Sequence, residues 1–286
     1  MACSDGSSAA PRSPERTGGA FVLMRLVLVR FSIRGPMSTK VRTVSGGPAY
    51  RDATWLADRE RLFRMYCQPS LDAQTSRDFT VLLFFDEDTD PRLIDRLTCR
   101  ERTAALLTGP GRGMREAVNA YLETRLGERA DPGEAMFIST TRLDSDDAIA
   151  PGFMETLDAA IRREVPNLAT RGRGYFSFPL GQKYLVAKDR YLESRWPKNA
   201  FGTLVERWSR AGIDTVFARR HARMVEGEHT TLIDDGRGYW CVVVHGGNVR
   251  NDARRGGRLT HPHFPVASMP DVVDRRGRLA RLLGRS

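Results

Sequence analysis

The stretch Ala135-Met-Phe-Ile-Ser-Thr-Thr-Arg-Leu-Asp-Ser-Asp-Asp147 decides the fold: an apolar run of strand length passes directly into three aspartates within four residues. The pattern predicts a strand over 135–141, a loop Arg142-Leu-Asp-Ser-Asp-Asp147 and a helix beginning near Pro151. Upstream, Phe79-Thr-Val-Leu-Leu-Phe-Phe85 repeats the arrangement, ending in the acidic turn Asp86-Glu-Asp-Thr-Asp-Pro91, where Pro91 opens a helix. Residues 21–33 read as a buried strand, 55–71 as an amphipathic helix stopped at Pro69, and 104–107 as a short strand. The loop Gly109-Pro-Gly-Arg-Gly113 then leads into a helix through Leu126; no Gly-Lys-Ser/Thr follows, so it is not a phosphate-binding P-loop. Four strand–helix alternations imply an α/β protein with a mostly parallel central sheet, helices on both faces and right-handed crossovers. Such sheets bind ligands beyond the carboxyl ends of their strands, where both acidic clusters fall. After about residue 172 the pattern turns mixed: short antiparallel strands at 175–179 and 183–187, a helix over 201–210, and a buried strand at 239–244 leading into His245-Gly-Gly-Asn248.

A chain of 286 residues, 41% apolar and 28% charged, can bury a substantial core, which excludes a disordered chain, a collagen-like repeat and a disulfide-stapled mini-protein. The net charge of +10 is concentrated: residues 250–286 carry nine arginines against three aspartates. That distribution argues against a nucleic-acid groove spread over the fold and toward a tail meeting anionic lipid or a phosphate-rich ligand. Leu279, Leu282 and Leu283 share one helical face of the tail, as in an interfacial helix at a membrane surface; a solvated helix packed on its own domain has the same pattern. Four cysteines without a C-x-x-C suggest neither a zinc cluster nor a disulfide framework, and a cytoplasmic setting. Residues 21–29 are too short for a membrane span and carry Arg25. The expected organisation is a disordered leader over 1–20, with Met24 as an alternative start, a domain over 21–250, and a basic extension over 251–286.

Asp144, Asp146 and Asp147, with Arg142 as the one basic residue beside them, are costly to gather without a cation, so Mn²⁺ or Mg²⁺ held by this loop is one expectation. Turn formation and capping of the next helix is the other. His245, at a strand end before a Gly-Gly turn, is either a metal ligand or a satisfied structural histidine.

Arg30-Phe31-Ser32, Trp55-Leu56, Arg59, Leu62-Phe63, Tyr66-Cys67, Pro69-Ser70-Leu71, Gln74-Thr75, Asp78-Phe79, Phe85-Asp86, the block Thr141-Arg-Leu-Asp-Ser-Asp-Asp-Ala148 and His245-Gly-Gly-Asn248 together resemble the rhamnosyltransferase family of GT-A-type glycosyltransferases, over about residues 25–250. The resemblance implies a GT-A-like nucleotide-sugar-binding fold, a dTDP- or UDP-linked donor, a divalent metal, and a glycan or lipid-linked acceptor at the inner face of a membrane. It further implies that Asp86 and Arg115 meet the nucleobase, Asp144 and Asn248 the ribose, sugar or diphosphate, and Asp146 and His245 the metal.

An inverting transferase also needs a base for the acceptor hydroxyl. Candidates are Glu206, placed on the expected helix beside Arg207 and Arg210, then Asp189 and His229. Two rival readings stand beside the transferase. Phe84-Phe85-Asp86-Glu-Asp88-Thr89 resembles the nucleophile motif of haloacid-dehalogenase-like phosphatases, with Asp86 phosphorylated, but it ends the second strand rather than the first. The other is a non-catalytic basic module that binds at a membrane surface.

Overall fold

The structure, a computed structural model, describes residues 16–17, 21–34, 52–126, 135–245 and 259–260. The expected leader apart from residues 16–17, Asn248, and the basic extension apart from residues 259–260 lie outside the described residues. Strand β1 (Arg16–Thr17) pairs with the start of β2 (Phe21–Ser32), whose Leu26, Val27, Leu28 and Val29 are all fully buried. An unbroken apolar strand requires cover on both sides. Val27 and Val29 face Phe63, Leu97 and Phe153 on one side, while Leu26 and Leu28 face Val118, Leu122 and Met224 on the other. Strands β3 (Thr80–Asp86), β4 (Thr103–Thr108) and β5 (Ala135–Asp144) run parallel with β2, in the order β5-β2-β3-β4. The α/β class with a mostly parallel central sheet and helices on both faces is as expected.

Three of the intervening helices show how local sequence sets their bounds. Helix α1 (Ala53–Leu62) begins at Asp52, whose carboxylate accepts from the Trp55 N–H at 2.8 Å. It widens into a π turn over Phe63–Cys67, where the Gln68 N–H reaches the Phe63 carbonyl, and continues as α2 (Gln68–Asp72). Pro69 therefore does not stop the helix; the widened turn puts it in the first turn of α2, where no N–H is needed. Helix α3 (Pro91–Thr98) is capped by Asp90, as the Asp-Pro pair predicts. Helix α4 (Met114–Leu126) crosses from β4 to β5, and β5 continues three residues beyond the expected 141, so Asp144 is its last residue.

A two-residue strand β6 (Ala148–Ile149) follows, then helix α5 (Phe153–Arg171), ended by Gly172 in the left-handed region at φ 75°. The expected hairpin of 175–179 with 183–187 does not form. Strand β7 (Arg173–Ser177) joins the central sheet, whereas β8 (Leu180–Leu185) enters a second sheet and pairs antiparallel with β9 (Arg190–Arg195). The expected helix over 201–210 is also corrected: Thr203–Arg207 is strand β10, inserted antiparallel between β5 and β7. Phe201, Leu204, Val205 and Trp208 carry a helix-like spacing, but burial of Leu204 and Val205 on opposite faces favours the strand. Helix α6 (His221–Gly227) precedes β11 (Thr230–Leu232) at the sheet edge. Strand β12 (Trp240–Val244) runs parallel to β8 and beside β6, and β13 (Leu259–Thr260) pairs with β9. The chain thus leaves the first sheet at Asp144 and enters the second at Ala148, so the acidic loop is the junction of the two sheets.

Candidate functional site

The ends of three parallel strands stand level: Arg30 on β2 is in register with Phe84 on β3 and with Asp144 on β5. Because side chains alternate, Arg30, Phe84, Asp86, Arg142 and Asp144 all project from the face that also carries Leu26, Leu28 and Ile138. Half-buried Asp144 receives Arg30 Nη2 on Oδ1 at 2.6 Å and Arg142 Nη2 on Oδ2 at 3.1 Å. Burial opposes its charge, but these two guanidinium groups hold its carboxyl well below the usual range. Each arginine retains a buried Nε–H that donates to no acceptor, which costs about 1–3 kcal/mol apiece when nothing fills it. The ring of Phe217 lies 5.2 Å from the Arg30 guanidinium carbon and 5.7 Å from that of Arg142.

One turn on, Asp146 Oδ2 accepts from the His245 Nε2–H at 2.9 Å and meets Arg59 Nη1 at 2.9 Å. Burial raises the Asp146 carboxyl, but Arg59 and the His245 bond outweigh it and hold the group low. Arg59 comes from α1, steadied against the Trp55 ring at 4.9 Å. Buried Asp147 turns the other way, its Oδ1 accepting the Val243 N–H at 3.0 Å and tying the loop to β12 just before His245. Burial, then the neighbouring Asp146 and Asp144, push its carboxyl well above the usual range. Asp144, Asp146 and His245 are therefore brought together as expected, but the compensating charge comes from Arg30 and Arg59 as well as Arg142. Among the described residues no three His, Cys, Asp or Glu side chains converge as a ligand set.

Asp86 is fully buried at the end of β3, and both its oxygens are engaged: Arg34 Nε at 2.6 Å on Oδ2, Arg34 Nη2 at 3.3 Å and the Asp88 N–H at 3.1 Å on Oδ1. Arg115 lies on the first turn of α4, exposed, 3.2 Å from Glu116 and 3.5 Å from Asp214. It lines an open cleft of about 460 Å³ with Met114, Thr215, Phe217 and Arg219. Phe217 connects this cleft to the Arg30–Asp144–Arg142 cluster.

The three base candidates separate. Glu206 stands on a strand, paired with Ile138, six residues below Asp144 along β5 and hence about 20 Å away along the sheet. Its oxygens accept the Asp214 N–H at 3.3 Å and the Thr215 N–H at 2.9 Å, and burial raises its carboxyl. It is an anchor for the 214–217 loop and not a base near the acidic loop. His229 lies 3.8 Å from Glu164 beside the edge strand β11, three strands across from β5. Exposed Asp189 follows β8, accepts from the Tyr184 hydroxyl at 3.0 Å, and stands on the rim where β12 ends, since Leu185 pairs with Val244. Arg30, Arg34, Arg59 and Phe217 are the residues whose site contacts sequence reasoning missed. Their partners lie between 52 and 187 residues away, and nothing in local spacing marks such pairs.

A family model described as "Putative rhamnosyl transferase" matches residues 25–255. No curated protein matches the sequence. Solved structures to which the chain is similar include Staphylococcus aureus TarS 1–349 in complex with UDP-GlcNAc, at 12% identity over 77% of this chain and 58% of that chain, with a TM-score of 0.39. Another is a "putative nucleotide-diphospho-sugar transferase" from Desulfovibrio desulfuricans G20, at 12% identity over 82% and 90%, TM-score 0.36. A third is Mycobacterium tuberculosis Rv0371c with manganese, at 10% identity over 74% and 88%, TM-score 0.26. The chain spans about three fifths of the TarS 1–349 chain.

Proposed function

The chain belongs to the rhamnosyl transferase family whose model covers most of its length, and from that premise we propose that it transfers a sugar from a nucleoside-diphosphate donor to an acceptor hydroxyl. The observation that supports this most is the convergence of Asp144, Asp146 and His245 at the carboxyl end of a parallel sheet, beside a cleft reached through Phe217. Rhamnose is the sugar the family description favours, and a dTDP or UDP carrier is part of the same proposal. In this reading Arg34, held by the buried carboxylate of Asp86, and Arg115 in the cleft recognise the base; Asp144 orients the ribose or sugar. Asp189, exposed on the same rim as His245 and hydrogen-bonded by Tyr184, is the carboxylate best placed to take the proton from an acceptor hydroxyl. A glycan or lipid-linked acceptor fits the basic, leucine-bearing C-terminal stretch, which suits the inner face of a membrane. Among the described residues no helix is long and apolar enough to cross one.

The Asp146–His245 pair fits a divalent ion. Asp146 Oδ2 and His245 Nε2 would hold it, the hydrogen bond that joins them at 2.9 Å giving up its proton and Arg59 Nη1 leaving the same oxygen. Mn²⁺ or Mg²⁺ bound there would supply charge neutralisation for a departing diphosphate. In its absence Arg59 provides the positive charge at Asp146, and Asp147 holds β12, and thus His245, against the loop.

The phosphatase reading gains nothing from the site, because an Asp86 nucleophile is fully buried with its oxygens bound by Arg34 and the Asp88 N–H. Turnover separates the two readings. With dTDP-rhamnose, UDP-sugars and a panel of glycan and lipid-linked acceptors, Asp146→Asn is expected to lose at least about tenfold of the metal-stimulated release of nucleoside diphosphate. Full metal-dependent turnover by that variant contradicts the metal assignment; hydrolysis of a phosphomonoester lost in Asp86→Asn contradicts the transferase.

A further inference from the structure

Arg30 and Arg142 each give a single Nη2–H to Asp144, one to each oxygen. A guanidinium that grips a carboxylate or phosphate through its full fork uses Nε–H and Nη2–H together. Asp144 therefore occupies half of each of two forks. The two remaining Nε–H groups are buried and donate to nothing, on arginines near the ends of adjacent parallel strands, where Arg30 stands opposite Asp144 and Arg142 opposite Leu28. Unfilled buried donors in a folded protein point to an absent acceptor. Phe217 sits by both guanidinium groups, packed edge-on against Phe84 at 6.2 Å, and lines the open cleft. It is thus the residue shared by the contacts of both arginines and the lining of the cleft. Arg30, Arg59 and Arg142 supply the positive charge around Asp144 and Asp146.

We propose that Arg30 and Arg142 form a clamp for the donor's diphosphate, completing their half-used forks on phosphate oxygens, with Phe217 as the spacer that keeps the two guanidinium groups apart. The clamp rests on the transferase reading and deepens it by assigning phosphate recognition to these arginines in addition to any cation at Asp146 and His245. An oxygen acceptor with negative charge satisfies both orphaned donors at once and gains strength from the ionised partners. Asp144 then acts as the template that presents the two arginines, releasing nothing when the ligand arrives because its own bonds use the Nη2 atoms.

Calorimetric titration of the full chain with UDP, dTDP, uridine, thymidine and inorganic pyrophosphate, in chelator, tests this. Arg30→Lys and Arg142→Lys keep the charge and remove the Nε–H, so each is expected to weaken diphosphate and pyrophosphate binding by about tenfold while leaving nucleoside binding unchanged. Phe217→Leu should give the same selective loss with both arginines intact. Should one lysine variant fail to fold, the other and Phe217→Leu carry the test. Nucleoside diphosphate bound by wild type with affinity that all folded variants retain within twofold overturns the clamp and leaves the donor reading standing. Pyrophosphate bound and lost in the variants supports the clamp; wild type that binds neither pyrophosphate nor nucleotide in chelator overturns it, and the same titration with Mn²⁺, if still without nucleotide binding, overturns the donor reading as well.

Discussion

Asp147 and Asp146 are neighbours in sequence held at opposite ends of the carboxyl range, and this gives the protein a specific pH signature. The raised Asp147 binds a proton in the folded state at pH values where the unfolded carboxyl, near 4, has released it. The folded chain then carries more protons than the unfolded one, so stability falls as pH rises above about 4. Asp144 and Asp146, held low, contribute in the opposite sense: their stability is present above about 4 and lost as pH falls through their folded values. Asp147→Asn preserves an acceptor for the Val243 N–H and removes the proton uptake. In chelator, its melting temperature is expected to rise relative to wild type as pH increases above about 4; parallel curves would refute the raised carboxyl of Asp147. Glu206 is the second residue-scale case. As an anchor for the Asp214 and Thr215 N–H groups, Glu206→Gln should keep kcat and its pH profile, whereas Glu206→Ala should lose about 1–3 kcal/mol of stability. A folded Glu206→Gln protein without turnover would restore it as the base.

At the scale of elements, what the sequence disclosed depended on how local the cause was. Continuous apolar runs marked β2, β3 and β5, and Asp-Pro marked the start of α3, because burial on both faces and capping are both written within a few residues. Strand β10 was not legible, since Phe201, Leu204, Val205 and Trp208 have helical spacing and only the flanking β5 and β7 turn them into a ladder. The destination of β8 was hidden for the same reason: two residues, Phe178 and Pro179, carry the chain from one sheet to the other, and its partners arrive at 190–195 and 240–244. Close packing of the second sheet rests on Gly181, where a Cβ would come within 2.1 Å of the fully buried Trp240 ring. Gly181→Ala is accordingly expected to destabilise the fold by about 1–3 kcal/mol and to disturb His245 four residues beyond β12's Cys241, read as weaker metal-dependent nucleotide binding alongside a lower melting temperature. Wild-type stability in that variant would mean that β8 and β12 pack less tightly than described.

Over the whole molecule, two sheets meet at one loop, and the loop's charges are balanced by arginines from β2, α1 and β5. Asp144, Asp146 and His245 were readable as a constellation because strand ends announce themselves. Arg30 and Arg59, which help neutralise them, were not, being set by register and helix docking across separations of 114 and 87 residues. The account turns on the claim that this junction receives a nucleoside diphosphate and a divalent cation. A thermal-shift panel of dTDP, UDP, GDP and their sugar conjugates, each with and without Mn²⁺, measures it directly, because a ligand of the folded state raises the midpoint by mass action. A shift confined to one nucleotide family and enlarged by Mn²⁺ is the predicted result; no shift with any nucleotide, with or without the ion, would contradict the account.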